Sequence, residues 1–220
     1  MKNIALYILG AGGMAREVFE IYAACGRSRD VKGYIVEKRY SHVKKLSGIP
    51  IYDESILAAV NSPEIRLIGA IGSPLRKRWI DRLEAKGYIF DTVIHPSAVI
   101  GTSVHIAAGT IISAGVILTT DITIGKHSIL NISATVSHDT KVGDFVTIGP
   151  GAHISGRVTV GDGVFMGVGA VCRQNISINA GVCIGAGAVL VTDAVRNMLY
   201  HGVPAKPIRT LSPRDWADLI

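Results

Sequence analysis

The sequence predicts a chain in two parts. An α/β half of Rossmann-like βα units spans residues 1–93, a coiled stack of short parallel strands spans 94–209, and residues 210–220 form a tail. Two observations carry this reading. From Ile100 to Leu190 an aliphatic or sulfur-bearing residue returns at every sixth position without a break. Near the start, an apolar run ends in the glycine-rich turn Gly10-Ala11-Gly12-Gly13, with a helical pattern directly after it.

A period of six fits neither a helix nor one long strand, and it is the mark of a solenoid. The series Ile100, Ile106, Ile112, Leu118, Ile124, Leu130, Val136 continues to Leu190, and two residues before each member the side chain is small or β-branched. Alternate residues of a strand share one face, so each six-residue unit points two side chains inward and then turns. Three such sides close a rung, and rungs stack into a prism. Gly101, Gly125, Gly143, Gly149, Gly161, Gly167 and Gly185 follow the aliphatic position, and Ser103, Asn131, Asp139 and Asp162 stand among the corners. These residues are expected to supply the positive-φ conformations of the turns. The run Val182 to Val191 reads as the core of the last rung.

In the first half, residues 3 to 9 read as a buried parallel strand and Met14 to Cys25 as a helix. A strand, a glycine turn and a helix start make an anion site, because the first N–H groups of the helix lack partners and its dipole favours phosphate. A second strand, Val31 to Val36, ends in Glu37, where a Rossmann-like unit sets an acid facing a ribose or base. Further βα material follows: a strand at Ile49 to Tyr52, a helix over Glu54 to Val60, a strand at Arg66 to Ile71 and a helix over Pro74 to Lys86. The spacing Gly10, Gly12, Gly13 misses the dinucleotide fingerprint at Ala15, and the half is too short for a complete dinucleotide fold. A mononucleotide-type ligand is therefore expected over NAD.

Composition excludes other classes. With 48% hydrophobic and 18% charged residues the chain is globular. The formal charge of +6 is dispersed (Lys44 and Lys45, Arg76 to Arg78, Lys206 and Arg209), without a basic stripe interleaved with aromatics, so no nucleic-acid partner is expected. Cys25, Cys172 and Cys183 are odd in number and lack metal-ligand spacing, which points to neither disulfides nor zinc. The apolar stretch after Lys2 is too short for a signal peptide, and no run is long enough to span a membrane. A reduced cytoplasmic location is expected.

Four segments in order over nearly the whole chain carry a resemblance: Ile8 to Val18 (ILGAGGMAREV), Ala70 to Arg76 (AIGSPLR), Ile94 to Ala98 (IHPSA) and Gly202 to Pro207 (GVPAKP). Together with the hexapeptide repeat they resemble the sialic-acid O-acetyltransferase-like group, which includes the nucleotide-sugar N-acetyltransferases of bacterial glycan synthesis. The resemblance implies a left-handed parallel β-helix, although general crossover rules favour the opposite hand. It further implies acetyl transfer from acetyl-CoA to a sugar amine or hydroxyl, without a metal, in a homotrimer with active sites between neighbouring prisms.

In this group a His followed by an acid supplies the base, which the resemblance assigns to His138 and Asp139. An imidazole titrates near 6.5 in general and suits base catalysis at neutral pH, with the carboxylate orienting the ring. Asp139 as a plain turn residue is the alternative. The resemblance sets Gly156 as a backbone oxyanion donor and Ala186 against the cofactor. Lys206 and Arg209 are expected at the phosphates of CoA, with an exposed tail as the alternative. The nucleotide sugar is assigned Gly10, Gly12, Gly13, Met14, Glu37, Gly72, Ser73, Arg76 and Asn131. His105 and His153 read as surface residues, and His127 as unassigned but able to approach a cleft.

The chain departs from the group at three points. Met14 stands where relatives carry His, the acid pair that reads uracil is reduced to Val36 and Glu37, and Thr147 replaces a second His that would touch CoA. The first expectation is N-acetylation of a UDP-amino sugar. O-acetylation of a sialic-acid-like sugar and a non-catalytic sugar-nucleotide scaffold are the alternatives.

Overall fold

A computed structural model describes residues 5–38, 44–59, 64–212 and 214–216. Asn3 and Ile4 of the expected first strand and Val60 of the expected second helix lie outside the described residues. The first half contains β1 (Ala5–Leu9), α1 (Gly13–Ala24), a short 3-10 turn (Ser28–Asp30), β2 (Val31–Val36), β3 (Lys45–Leu46), β4 (Ile49–Asp53), α2 (Ile56–Ala59), β5 (Ile65–Gly69) and α3 (Arg76–Glu84). Its sheet runs β3-β4-β2-β1-β5, parallel except for β3, which pairs antiparallel with β4. The β3–β4 hairpin was not expected, since Lys45-Leu46 offers only two residues of pattern. In α1 the buried residues Ala15, Val18, Ile21 and Tyr22 recur at helical spacing and form one apolar stripe.

The second half is a prism of two-residue strands, β6 (Val93–Ile94) through β22 (Val189–Leu190), closed by the hairpin β23 (Met198–Gly202) and β24 (Ala205–Thr210). Each strand pairs in parallel with the one eighteen residues on, as Ile117-Leu118 does with Thr135-Val136. The strands fall into three faces. The first holds β6, β9, β12, β15, β18 and β21 with the closing hairpin, the second runs from β7 to β22, and the third from β8 to β20. The predicted inward residues form one buried column, including Leu118, Val136, Ile148, Met166, Cys172 and Leu190. Leu or Ile side chains of this kind contribute about 1.5–3 kcal/mol each on full burial, so the repeat makes its own core.

The corners correct one expectation. Positive φ does not fall on the glycines that follow the aliphatic position. It falls two residues later, at Gly109, Gly115, Asp121, His127, Ser133, Asp139, Phe145, Gly151, Arg157 and onward every sixth residue. Glycine after the aliphatic residue answers to close approach instead. A Cβ at Gly149 would lie 2.7 Å from the carbonyl oxygen of Met166, and one at Gly167 2.6 Å from the Ala186 nitrogen on the rung below.

The outward residues differ between faces. Those of the third face, including Thr123, Lys141 and Thr159, are exposed. On the first face Ile111 and Ile129 are fully buried, because α1 and the α/β sheet pack over them, while Cys183 lies under Leu199, Leu211 and Trp216. No helix among the described residues is long and apolar enough to cross a membrane.

Candidate functional site

The α/β half offers a cavity of about 390 Å³ lined by Gly10, Ala11, Gly12, Val36, Glu37, Leu46, Ile51, Ile71 and Trp79. It lies outside the carboxyl ends of β1, β2 and β5, at the point where strand order reverses, which is where open α/β sheets take ligands. Gly10 has φ +105° and donates its N–H to the Ile35 carbonyl at 2.8 Å. A Cβ there would meet the Ala70 carbonyl oxygen at 3.0 Å, whereas nothing lies within 4 Å of a Cβ at Gly12 or Gly13. Helix α1 starts at Gly13 with no side-chain cap and no acid in its first turn. Its N–H groups are thus open to an anion, as the turn predicts. Met14 is half-buried against α1's core stripe. Ser73 Oγ accepts from the Leu75 N–H at 3.3 Å, shaping the loop after β5.

His138 and Asp139 occupy the corner between β13 (Thr135–Val136) and β14 (Lys141–Val142). His138 Nδ1 and Asp139 Oδ2 are 2.7 Å apart, with side-chain exposures of 44% and 53%. Asp139 sits in the left-handed region, φ 57°, which Asp tolerates better than most residues. The carboxylate therefore orients the ring with Nδ1 toward it and leaves Nε2 without a partner among the described residues. Gly156 lies one rung on, under the imidazole: a Cβ there would be 2.6 Å from both His138 Cε1 and Nε2. Its carbonyl accepts from Asn175, and its N–H donates to no group among the described residues.

The remaining expectations fare unequally. Asn131 and Ala186 stand on the corner between the first and second faces, at the far end of the β13 side from His138. Asn131 Oδ1 accepts from the Ile132 N–H at 2.9 Å. Ala186 is exposed, in line with Ile132 and Val168 on the same edge. Lys206 is exposed on β24, and Arg209 is paired with Asp215, whose carboxyl is held down to about 2 by Ser212 and the guanidinium.

Arg76 is a correction. It was expected at the substrate, but it is 2% exposed and its guanidinium lies between the two halves. Nε and Nη2 donate to the His127 carbonyl (3.2 and 2.8 Å), Nη2 to the Val146 carbonyl (3.0 Å), and Nη1 to the Gly72 carbonyl (3.2 Å) and Thr147 Oγ1 (2.8 Å). Burial lowers it to about 9, still cationic at neutral pH. Thr147 is buried with it and donates to the Gly72 carbonyl at 2.8 Å, so this position clamps the loop after β5 onto the prism. His127 is no cleft residue. It is 1% exposed, stacked on Phe145 and edge-on to Phe90, each at 4.9 Å, with Nε2 3.0 Å from Glu84. Desolvation lowers its pKa, opposed by Glu84.

The α/β half thus docks on the first face, and His138 projects from the corner opposite that face. Among the described residues no group of three or more His, Cys, Asp or Glu is arranged to hold a metal ion.

The PglD N-terminal domain family matches residues 5–83, and the bacterial transferase hexapeptide family (six repeats) matches residues 139–174. No curated protein matches the sequence. Among solved structures, perosamine N-acetyltransferase of Caulobacter crescentus is 33% identical, over 93% of this chain and 97% of its own, with a TM-score of 0.87. It was solved as a variant with one histidine replaced by asparagine, in complex with CoA and GDP-perosamine. The acetyltransferase domain of PglB from Neisseria gonorrhoeae, solved with acetyl coenzyme A, is 30% identical over 93% of this chain and 98% of its own, with a TM-score of 0.84. WeeI of Acinetobacter baumannii is 26% identical over 93% of this chain and 100% of its own, with a TM-score of 0.86. With its α/β domain followed by a left-handed parallel β-helix, the chain belongs to the nucleotide-sugar acetyltransferase family of hexapeptide-repeat enzymes.

Proposed function

We propose that this chain transfers the acetyl group of acetyl-CoA to the amine of a nucleotide-linked amino sugar, with His138 as general base. The observation that carries the reading is the His138–Asp139 pair at 2.7 Å, with Nε2 unpartnered among the described residues and Gly156 beneath the ring. In the reaction the sugar amine attacks the thioester carbonyl, Nε2 removes the ammonium proton, and the Gly156 N–H supports the oxyanion. The attack forms the C–N bond, collapse of the tetrahedral intermediate restores the carbonyl and breaks the C–S bond, and the proton held by His138 passes to the departing CoA thiolate. Asp139 holds the ring and stabilises the imidazolium. The anion-binding turn Gly10 to Gly13 suits the diphosphate of the sugar nucleotide. The exposed edge of Ile132, Val168 and Ala186 suits the apolar length of CoA, with Lys206 near the closing hairpin for its phosphates.

The α/β half that carries the cavity packs over the first face, whereas His138 stands on the corner between the other two. In this reading the sugar held by one copy reaches His138 of another. Closed homotrimers meet this need with identical contacts around one axis. The three free cysteines suit the reducing cytoplasm.

The test measures thiol release from acetyl-CoA over nucleotide-linked amino sugars and free sialic acids, with wild-type protein and His138→Ala. Turnover on an amino sugar that falls roughly 10²- to 10⁴-fold in the variant supports the base. Undiminished turnover refutes it, and exclusive use of a sialic acid hydroxyl would make the protein an O-acetyltransferase. Mixed assemblies of His138→Ala with a Gly12→Asp chain, each inactive alone, should regain activity if the site spans two copies.

A further inference from the structure

We propose that Arg76 and Thr147 are positioning residues for the sugar nucleotide: by gripping the carbonyl side of the loop after β5 they turn the N–H groups of Gly72 and Ser73 toward its diphosphate. This rests on the nucleotide-sugar reading and adds a second set of donors to the Gly10 to Gly13 turn. The loop lies against that turn. A Cβ at Gly10 would stand 3.0 Å from the Ala70 carbonyl oxygen and 3.1 Å from Ile71 Cγ1, and Ile71 is a wall of the cavity. The carbonyls of Ile71 and Gly72 take no backbone donor among the described residues. Both accept from Arg76 Nη1, at 3.5 and 3.2 Å, and Gly72 also accepts from Thr147 Oγ1 at 2.8 Å.

Both peptides are trans. A trans peptide sets its N–H opposite its C=O, so fixing these two carbonyls fixes where the next two N–H groups point. The N–H groups of Gly72 and Ser73 therefore face away from the guanidinium, and neither donates to any group among the described residues. Successive backbone N–H groups left free in this way suit an anion. The guanidinium at the carbonyl end polarises both peptides and strengthens their N–H groups as donors. Arg76 is anchored in turn on the His127 and Val146 carbonyls, so the prism fixes the loop from behind. With Arg76 2% and Thr147 3% exposed, both act through the loop rather than on the ligand.

The experiment is calorimetric titration of the intact protein with GDP, UDP and dTDP, for wild type, Thr147→Val, Thr147→Ser and Arg76→Met. Valine keeps the volume and loses the hydroxyl, whereas serine keeps the hydroxyl and loses a methyl. The nucleoside diphosphate that wild type binds should weaken roughly 3- to 10-fold in Thr147→Val, the scale of one net hydrogen bond, and hold within about 2-fold in Thr147→Ser. Arg76→Met should weaken it roughly 10- to 100-fold, the scale of losing a partner that orients a binding group. In turnover the KM of the amino sugar nucleotide should rise by the same factors while the KM of acetyl-CoA holds. Wild-type affinity in Thr147→Val overturns the proposal, and so does equal weakening in Thr147→Ser, which assigns the effect to packing; both leave the nucleotide-sugar reading standing. A rise confined to the KM of acetyl-CoA also overturns it, setting Thr147 at the cofactor. Binding of none of the three by wild type overturns the underlying reading and the proposal with it.

Discussion

Arg76 is the residue whose removal tests the docking of the two halves most directly. Its side chain donates to five acceptors between the α/β loop and the prism, the Ile71 carbonyl at 3.5 Å among them. After Arg76→Met, the Val146 carbonyl still accepts from the Ile129 N–H at 2.8 Å, and the Gly72 carbonyl still accepts from Thr147. The His127 carbonyl, which takes two of the guanidinium bonds, loses both. An orphaned buried acceptor costs about 1–3 kcal/mol. The lost charge-assisted bonds are largely offset by no longer desolvating a cation, as replacement of buried charges by apolar groups is often neutral. Arg76→Met should thus destabilise by about 1–3 kcal/mol, and Arg76→Ala by about 3–5 kcal/mol once the unfilled volume is added. Arg76→Lys keeps a buried charge but cannot span the same acceptors, so it should cost at least as much as Met. Urea unfolding at fixed protomer concentration measures all three. A Met variant within about 0.5 kcal/mol of wild type, the level of ordinary surface changes, or a lysine that restores full stability, would refute the clamp.

Three further outcomes are expected. Gly156→Ala forces the His138 ring to move, and kcat should fall on the order of 10²-fold, the cost of a misplacement near 1 Å, with unfolding little changed; unaltered kcat would separate Gly156 from the base. His127 is neutral in the fold because burial lowers its pKa, so below about 6.5 the unfolded chain takes up a proton that the native chain refuses. Stability should therefore decline as pH drops from about 6.5 toward the lowered value, more steeply in wild type than in His127→Asn, and equal slopes would count against it. Burial raises Cys172 and Cys183 to about 11, whereas Cys25 is partly exposed. A disulfide reagent should titrate one thiol per native chain and all three in denaturant, while rapid native reaction of Cys183 would show that the cover of Leu199 and Trp216 opens.

Much of this architecture is written in local pattern. The six-residue repeat announces the prism because each rung must bury the same two side chains per side, and Val31 to Val36 is found as β2 with both ends where the run predicts them. The turn chemistry was misassigned by two residues: glycine fills both the left-handed position and the close-approach position, and composition alone does not separate them. Position 18 residues apart did hold an unread signal. Val93, Ile111 and Ile129 point outward yet stay apolar, whereas Thr123, Lys141 and Thr159 on the third face do not. An apolar outward column on one face marks the side that another unit covers.

By itself the sequence determined the solenoid, the βα crossovers, the glycine turn that opens α1 and the His138–Asp139 neighbours, all of which depend on residues within a few positions of one another or on a strict repeat. Only the tertiary structure decided that Arg76 and Thr147 join the two halves, that His127 is sealed between Phe90 and Phe145, and that the α/β half covers the face opposite the His138 corner. Those facts follow from where the α/β half docks on the prism. That choice rests on contacts such as Arg76 to His127 and Arg76 to Thr147, 51 and 71 residues apart in the chain. No periodicity encodes them, because they depend on the fit of two surfaces that exist only after each half has folded.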